Sequence, residues 1–142
     1  MTPVTGVPMS FTYLRYHITF ATKSRRPFIT RDVEPVVYEA LRDACRNQDG
    51  KLFEVSGIED HVHLLSQVPQ SVSIEKFVKE TKRQSTLQIK EECEHLPDFK
   101  WQAKFGALTV SSWDMGKLYR YIRNQEEHHR TGQTWEGFEE VA

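Results

Sequence analysis

The order of the hydrophobic patterns constrains the fold of this chain more than any other feature of its sequence. Segments that alternate with period two, as strands do, are interleaved with segments whose apolar residues recur every three or four positions, as in amphipathic helices. The clearest strand pattern covers residues 12–22, where apolar and aromatic side chains occupy the even positions from Leu14 to Phe20. The complete order is strand, helix, strand, strand, helix, strand, helix.

The ends of these segments carry local signals. Asp32 is a candidate N-cap for the first helix, and Gly50 follows its end. Ser73 is a candidate N-cap for the second helix, which continues to about Glu92, and Ser112 is a candidate cap for the last helix. The patterns predict strands over residues 12–22, 51–56, 61–68 and 106–111, with a turn over residues 57–60.

The first six elements follow the order of the split βαβ, or ferredoxin-like, fold. We therefore predict an α+β protein with a four-stranded antiparallel sheet, two helices on one face and an additional C-terminal helix over residues 113–129. In this fold the first and third strands lie in the middle of the sheet. A chain of 142 residues is the size of one domain, so residues 1–142 are predicted to form a single domain, with residues 1–10 as a flexible arm.

Two classes of protein are disfavoured by composition. No apolar run approaches the roughly 20 residues that cross a bilayer, and the N-terminus lacks a basic segment followed by an apolar one. We therefore predict a cytoplasmic protein with no membrane partner. Cys45 and Cys93 are far apart in helix-like patterns, which favours reduced thiols over a disulfide.

The distribution of charge points to phosphate binding, although the net charge is only -1. Residues 1–31 hold five basic and no acidic side chains, and residues 76–90 hold five basic and one acidic. Such segments can form a local phosphate-binding surface, and the aromatic residues interleaved with them suit single-stranded nucleic acid. Ordinary solvated charge explains the pattern equally well from the sequence alone. The candidate nucleic-acid contacts are Arg15, Lys23, Arg25, Arg26, Lys79, Lys82 and Arg83.

Two histidines, His61 and His63, are separated by one apolar residue at the start of the third predicted strand. Because side chains alternate across a strand, both imidazoles must point to the same side. If Val62 and Leu64 pack under the two helices, the histidines face the opposite side, which the last helix can approach. Alone, such a pair is more often surface or hydrogen-bonded histidines than a metal site.

A second pair, Tyr121 and Gln125, lies four residues apart and shares one face of the last predicted helix. Two imidazoles and an amide oxygen suit a divalent ion with open positions, and phosphate oxygens in those positions favour magnesium or manganese. Near such an ion, Tyr121 becomes a candidate nucleophile, because a phenol with a pKa of about 10 attacks phosphorus poorly without a metal. Tyr119, about 200° round the helix, is predicted to face the core.

These residues together resemble the HUH-type single-tyrosine transposases of small bacterial insertion sequences, including relatives associated with repetitive palindromes. The resemblance begins at Tyr16 and ends at His129, with its matching segments in the same order. Those segments are residues 16–27, residues 57–65, the lysine-rich second helix, residues 101–111 and residues 121–129.

The resemblance implies a ferredoxin-like homodimer in which His61, His63 and Gln125 bind a divalent metal, magnesium or manganese, and Tyr121 is the nucleophile. It also implies that single-stranded or hairpin DNA is cleaved and rejoined through a 5′-phosphotyrosine, without a nucleotide cofactor. In such dimers the tyrosine helix can serve the partner's histidine pair. Three alternatives stay open: a catalytically silent single-stranded nucleic-acid-binding protein of the same fold, a metal-dependent enzyme acting on small phosphoesters, and a ferredoxin-like RNA-binding protein.

Overall fold

The structure is a computed structural model that describes residues 11–124. The predicted arm over residues 1–10 and the predicted end of the last helix, including Gln125, lie outside the described residues. The elements, in chain order, are β1 (Arg15–Ala21), a short 3₁₀ turn (Lys23–Arg25), α1 (Glu34–Arg46), β2 (Lys51–Ile58), β3 (His61–Gln67), α2 (Ile74–Glu92), β4 (Gly106–Thr109) and α3 (Met115–Arg123).

The four strands form one antiparallel sheet in the order β2-β3-β1-β4. This order confirms the predicted ferredoxin-like class, and it confirms that β1 and β3 are the two central strands. None of the helices within residues 11–124 is long and apolar enough to cross a bilayer. The thiols of Cys45 and Cys93 are both buried and free, as predicted.

The two faces of the sheet carry different side chains. In the pairing of β1 with β3, Phe20 lies opposite Val62 and Ile18 lies opposite Leu64, and these four side chains belong to the main core under α1 and α2. The alternate residues point to the other face, where α3 packs against β2 and β3. A second, smaller core forms there, made of Leu65, Val110, Leu118, Tyr121 and Ile122.

The hairpin between β2 and β3 is tighter than the predicted four-residue turn. β2 continues to Ile58, and only Glu59 and Asp60 connect it to His61. Gly57 therefore lies in the strand, where a Cβ atom would come within 2.1 Å of the carbonyl oxygen of His61. The absence of a side chain at this position lets the two strands approach closely just before the histidine pair.

The predicted helix caps have different outcomes. Ser73 is confirmed, since its side chain accepts a hydrogen bond from the Lys76 backbone N–H at 3.1 Å. The prediction that Asp32 caps α1 is wrong, because α1 begins two residues later. The Asp32 carboxylate instead accepts a hydrogen bond from the Thr30 hydroxyl at 2.5 Å. This hydrogen bond lowers the pKa of Asp32. The predicted cap Ser112 is also wrong, since α3 begins after Asp114.

Candidate active site

The histidine pair lies at the start of the central strand β3. His61 and His63 expose 1% and 0% of their surfaces, and their ring centroids are 5.2 Å apart. Both point to the face that α3 covers, because Val62 between them points into the main core. The prediction that the two imidazoles share one side of the sheet, opposite the helix pair, is confirmed.

The turn before β3 fixes the orientation of His61. The Nδ1 atom of His61 lies 2.9 Å from the Asp60 carboxylate, and Arg25 donates to the same carboxylate at 3.2 Å. The Asp60 carbonyl accepts a hydrogen bond from the Thr22 backbone N–H at 2.9 Å, which ties the turn to the end of β1. Because an ionised carboxylate only accepts, Nδ1 of His61 carries a proton, and in the neutral imidazole this leaves the lone pair on Nε2.

A third histidine, His17 on β1, contacts His63, and the sequence patterns did not identify it as a site residue. Its Nε2 atom lies 2.8 Å from Nδ1 of His63, and the two rings lie edge to edge with their centroids 5.0 Å apart and 23° between their planes. The only signal for it in the sequence is its position on the polar side of the first strand pattern. The contact also depends on the register between β1 and β3, which places Thr19 opposite His63.

Tyr121 packs against His63, the second histidine of the pair. It is 3% exposed, packs in the smaller core with Leu118 and Ile122, and has its ring edge-on to His63 with 6.3 Å between the centroids. The structure therefore brings together three of the predicted site residues: His61, His63 and Tyr121. The fourth, Gln125, follows the last described residue, so its position relative to the histidines stays a prediction.

The predicted placement of Tyr119 on the core side is confirmed only in part. Tyr119 is only partly buried at the edge of the smaller core, and the Arg123 guanidinium lies 5.7 Å from its ring centroid. Both tyrosines flank the apolar stripe of α3, so the docking of the helix decides which one is buried. Tyr121 is the tyrosine that faces the histidines on the sheet. Its ring contacts the imidazole of His63, while Leu118 and Ile122 on the same helix pack in the apolar core.

The described residues offer only part of a metal site. Within residues 11–124 there is no group of three or more histidine, cysteine, aspartate or glutamate side chains arranged to hold an ion. His61 and His63 supply at most two nitrogen ligands, so further donors must come from elsewhere. The donor set is nonetheless suitable for a metal, because each imidazole has its Nδ1 atom engaged by a neighbour, which is the usual arrangement of ligating histidines.

Three of the four predicted cations in and after β1 contact neighbouring side chains. The Arg15 guanidinium lies 4.2 Å from the ring centroid of Tyr13, and Arg25 is paired with Asp60. Arg26 donates to the carboxylate of Asp98 at 2.6 Å, and this bond lowers the pKa of Asp98. Lys23 is exposed in the 3₁₀ turn.

The predicted cations of α2 lie on the other side of the sheet, along a groove of about 820 Å³ between α2 and residues 99–105. Lys79 and Arg83 are exposed, and Arg83 is paired with Glu80. Lys82 is half-buried above the ring of Phe20, and burial lowers its pKa to about 8. Its ammonium group donates to the carbonyl oxygens of residues 102, 103 and 104 at 2.7, 3.3 and 2.9 Å, which ties α2 to the following connection.

The structure thus combines a ferredoxin-like sheet, a buried histidine pair on a central strand and a tyrosine packed against the second of these histidines. Comparison with known families identifies the class of protein. Residues 10–125 match the family described as "Transposase IS200 like". The match covers most of the chain, and the chain belongs to this family.

Individual relatives agree with this assignment. The transposase of insertion sequence element IS200 from Salmonella typhimurium is 29% identical over 125 residues, which cover 84% of this chain and 81% of the relative. The ISDra2 transposase TnpA from Deinococcus radiodurans is 25% identical over 119 residues, which cover 80% of this chain and 85% of the relative.

Two solved structures share the fold. A crystal structure of a Deinococcus radiodurans protein assigned as a transposase is 27% identical, with a TM-score of 0.67, and the match covers 88% of this chain and 98% of the other. A REP-associated tyrosine transposase bound to a REP hairpin is 16% identical, with a TM-score of 0.60, over 89% of this chain and 75% of the other. The second likeness concerns the fold alone.

Proposed function

We propose that this chain is a metal-dependent transposase of single-stranded DNA that cleaves and rejoins DNA ends with Tyr121 as its nucleophile. The observation that carries the proposal is the contact between Tyr121 and His63, whose ring centroids lie 6.3 Å apart on the buried face of the sheet. Family membership supports the transposase chemistry, and this contact supports Tyr121 rather than Tyr119 as the residue that performs it.

In the proposed reaction, Oη of Tyr121 attacks a phosphorus atom of the DNA backbone. A bond forms between this oxygen and phosphorus while the bond from phosphorus to the 3′ oxygen breaks. The phenol proton ends on the departing oxygen, so the products are a 5′-phosphotyrosine and a free 3′-hydroxyl. Attack by a 3′-hydroxyl on the phosphotyrosine reverses the step and joins strands. The covalent link conserves the energy of the broken bond, so no nucleotide cofactor is required.

His61 and His63 are proposed to hold magnesium or manganese, with Gln125 as the third protein ligand. The tautomer imposed on His61 by Asp60 supports this assignment, because it makes Nε2 the lone-pair nitrogen. When bound, the ion stabilises negative charge on the phosphate and on the phenolate. The protein's own residues hold the histidines in register and keep the phenol of Tyr121 beside them.

The proposed substrate is single-stranded or hairpin DNA, and the proposed active form is a homodimer. The shared fold with a transposase that binds a REP hairpin supports a hairpin substrate, and the exposed cations Lys23 and Lys79 can contact its phosphates. The remaining proposed DNA contacts are Arg15, Arg25, Arg26, Lys82 and Arg83. In a homodimer, Tyr121 can serve either its own histidine pair or that of the partner.

The test is a covalent-adduct assay. The protein is incubated with Mn²⁺ and single-stranded oligonucleotides that carry the hairpins flanking its own gene, and the products are separated under denaturing conditions. We expect a denaturant-resistant protein–DNA adduct with the wild-type chain and with Tyr119→Phe, and none with Tyr121→Phe. Tyr119→Phe is the matched control, because it also removes one tyrosine hydroxyl from α3.

An adduct that survives Tyr121→Phe would show that another residue is the nucleophile. Tight DNA binding by the wild-type chain without any adduct would favour the catalytically silent binding protein. Cleavage products without an adduct would favour attack by water, as in an enzyme acting on phosphoesters. Binding that prefers RNA and does not respond to a chelator would favour the RNA-binding alternative.

A further inference from the structure

We propose that His17 is a positioning residue for His63: it accepts a hydrogen bond from Nδ1 of His63 and thereby fixes Nε2 as the nitrogen that binds the metal. This inference rests on the ligand role of His63 in the proposed function. His17 itself does not touch the ion or the substrate, and its effect passes through the imidazole of His63.

The geometry requires one shared proton between the two rings. Nε2 of His17 and Nδ1 of His63 are 2.8 Å apart, which is a hydrogen-bond distance, and both residues are almost fully buried. Between two neutral imidazoles, one nitrogen donates and the other accepts. If His17 donates, Nε2 of His63 carries a proton and cannot bind a metal. If His63 donates, its Nε2 atom carries the lone pair, so only this arrangement is compatible with a ligand.

The neighbours of His17 favour a strong, persistent hydrogen bond. Leu65 on β3 and Leu108 on β4 lie opposite His17 in the two strand pairings. Apolar neighbours lower the local dielectric and strengthen the bond. The two rings meet edge to edge with 23° between their planes, so the hydrogen bond lies close to the plane of both imidazoles, where the ring N–H and the ring lone pair point.

The same logic holds for both histidines of the pair. Asp60 engages Nδ1 of His61, and His17 engages Nδ1 of His63. Each imidazole is thus held from the nitrogen that faces away from its proposed metal-binding nitrogen. His17 is not itself a third ligand in this arrangement, since the lone pairs on the two nitrogens of one imidazole diverge. A group bonded to Nδ1 of His63 therefore cannot share an ion bound at its Nε2.

The first experiment compares His17→Gln with His17→Leu in the full chain. The glutamine amide oxygen can accept the proton from His63, whereas leucine has similar volume and cannot accept one. Mn²⁺ affinity is measured by isothermal titration calorimetry in the absence of DNA. We expect His17→Leu to weaken Mn²⁺ binding by about 10–100-fold and His17→Gln to restore it to within a few-fold of wild type. Equal affinity of His17→Leu and wild type would overturn the proposal.

The second experiment needs no substitution at His17 and no metal. Long-range ¹H–¹⁵N NMR of the histidine rings, at alkaline pH where imidazoles are neutral, reports which nitrogen of His63 carries the proton, with the His63 signals assigned from their loss in His63→Ala. We expect the proton on Nδ1, and a proton on Nε2 would overturn the proposal. If the wild-type chain binds no Mn²⁺, the proposed function fails, and this measurement still decides the role of His17.

Discussion

Gly57 is the position where a single methyl group should do the most damage to the candidate site. A Cβ atom there would lie 2.1 Å from the His61 carbonyl oxygen and 2.9 Å from the Cα atom of Val62. Both contacts are to backbone, so no change of rotamer relieves them, and the two strands must separate. We expect Gly57→Ala to lower the free energy of unfolding by roughly 3 kcal/mol, the upper end of the usual range for overpacking.

The chain provides its own control in Gly116. At this position in α3, a Cβ atom would meet only the end of the Arg120 side chain, at 3.8 Å. Gly116→Ala should therefore stabilise the protein by about 0.5 kcal/mol, since alanine favours the helix. Thermal unfolding followed by circular dichroism should separate the two variants, with a decrease in Tm of roughly 10 °C for Gly57→Ala and a small increase for Gly116→Ala.

Gly57→Ala should also weaken metal binding at the candidate site. The strand that must move carries the backbone of His61, so we expect Gly57→Ala to weaken Mn²⁺ binding even at temperatures where the variant is folded. Calorimetric titration well below its Tm measures this effect. If Gly57→Ala unfolds at the same temperature as Gly116→Ala and binds Mn²⁺ as the wild type does, the close approach of β2 and β3 is not what shapes the site.

Two further predictions follow from side-chain contacts outside the histidine pair. Asp60→Ala removes the acceptor from Nδ1 of His61 and should weaken Mn²⁺ binding by about 10–100-fold in calorimetric titrations, whereas Asp98→Ala, which removes only the exposed pair with Arg26, should leave it unchanged. Lys82→Met removes three hydrogen bonds to carbonyl groups and should destabilise the chain by about 1–2 kcal/mol in urea unfolding, whereas the exposed Lys79→Met should stay within about 0.5 kcal/mol of wild type.

Local patterns predicted much of the fold. The second helix ends at Glu92 and is capped by Ser73 as predicted, because both features depend on residues within one or two turns. The central positions of β1 and β3 also followed from the order of elements alone. The histidine pair could be assigned to one face because alternation along a strand is a local property.

The contacts that complete the site depend on distant segments and could not be read from local patterns. His17 meets His63 across 46 residues of chain, and this contact requires the register between two strands. The choice between Tyr119 and Tyr121 depends on how α3 docks, since both tyrosines flank the same apolar stripe. Lys82 resembles any other exposed cation of an amphipathic helix, and the carbonyl groups it binds come from a connection without a periodic pattern.

Because the histidines and the main core lie on opposite faces of the sheet, the histidines can be substituted without removing side chains from the core. Along β1 and β3, one set of alternate residues builds the main core with α1 and α2, and the other set carries the three histidines. A substitution at a histidine therefore removes no side chain from the main core, which supplies most of the buried apolar surface of the described residues. Leucine at position 17 would also sit between two leucines, Leu65 and Leu108. We therefore expect such a variant to fold, so that its loss of metal affinity reports on the hydrogen bond and not on unfolding.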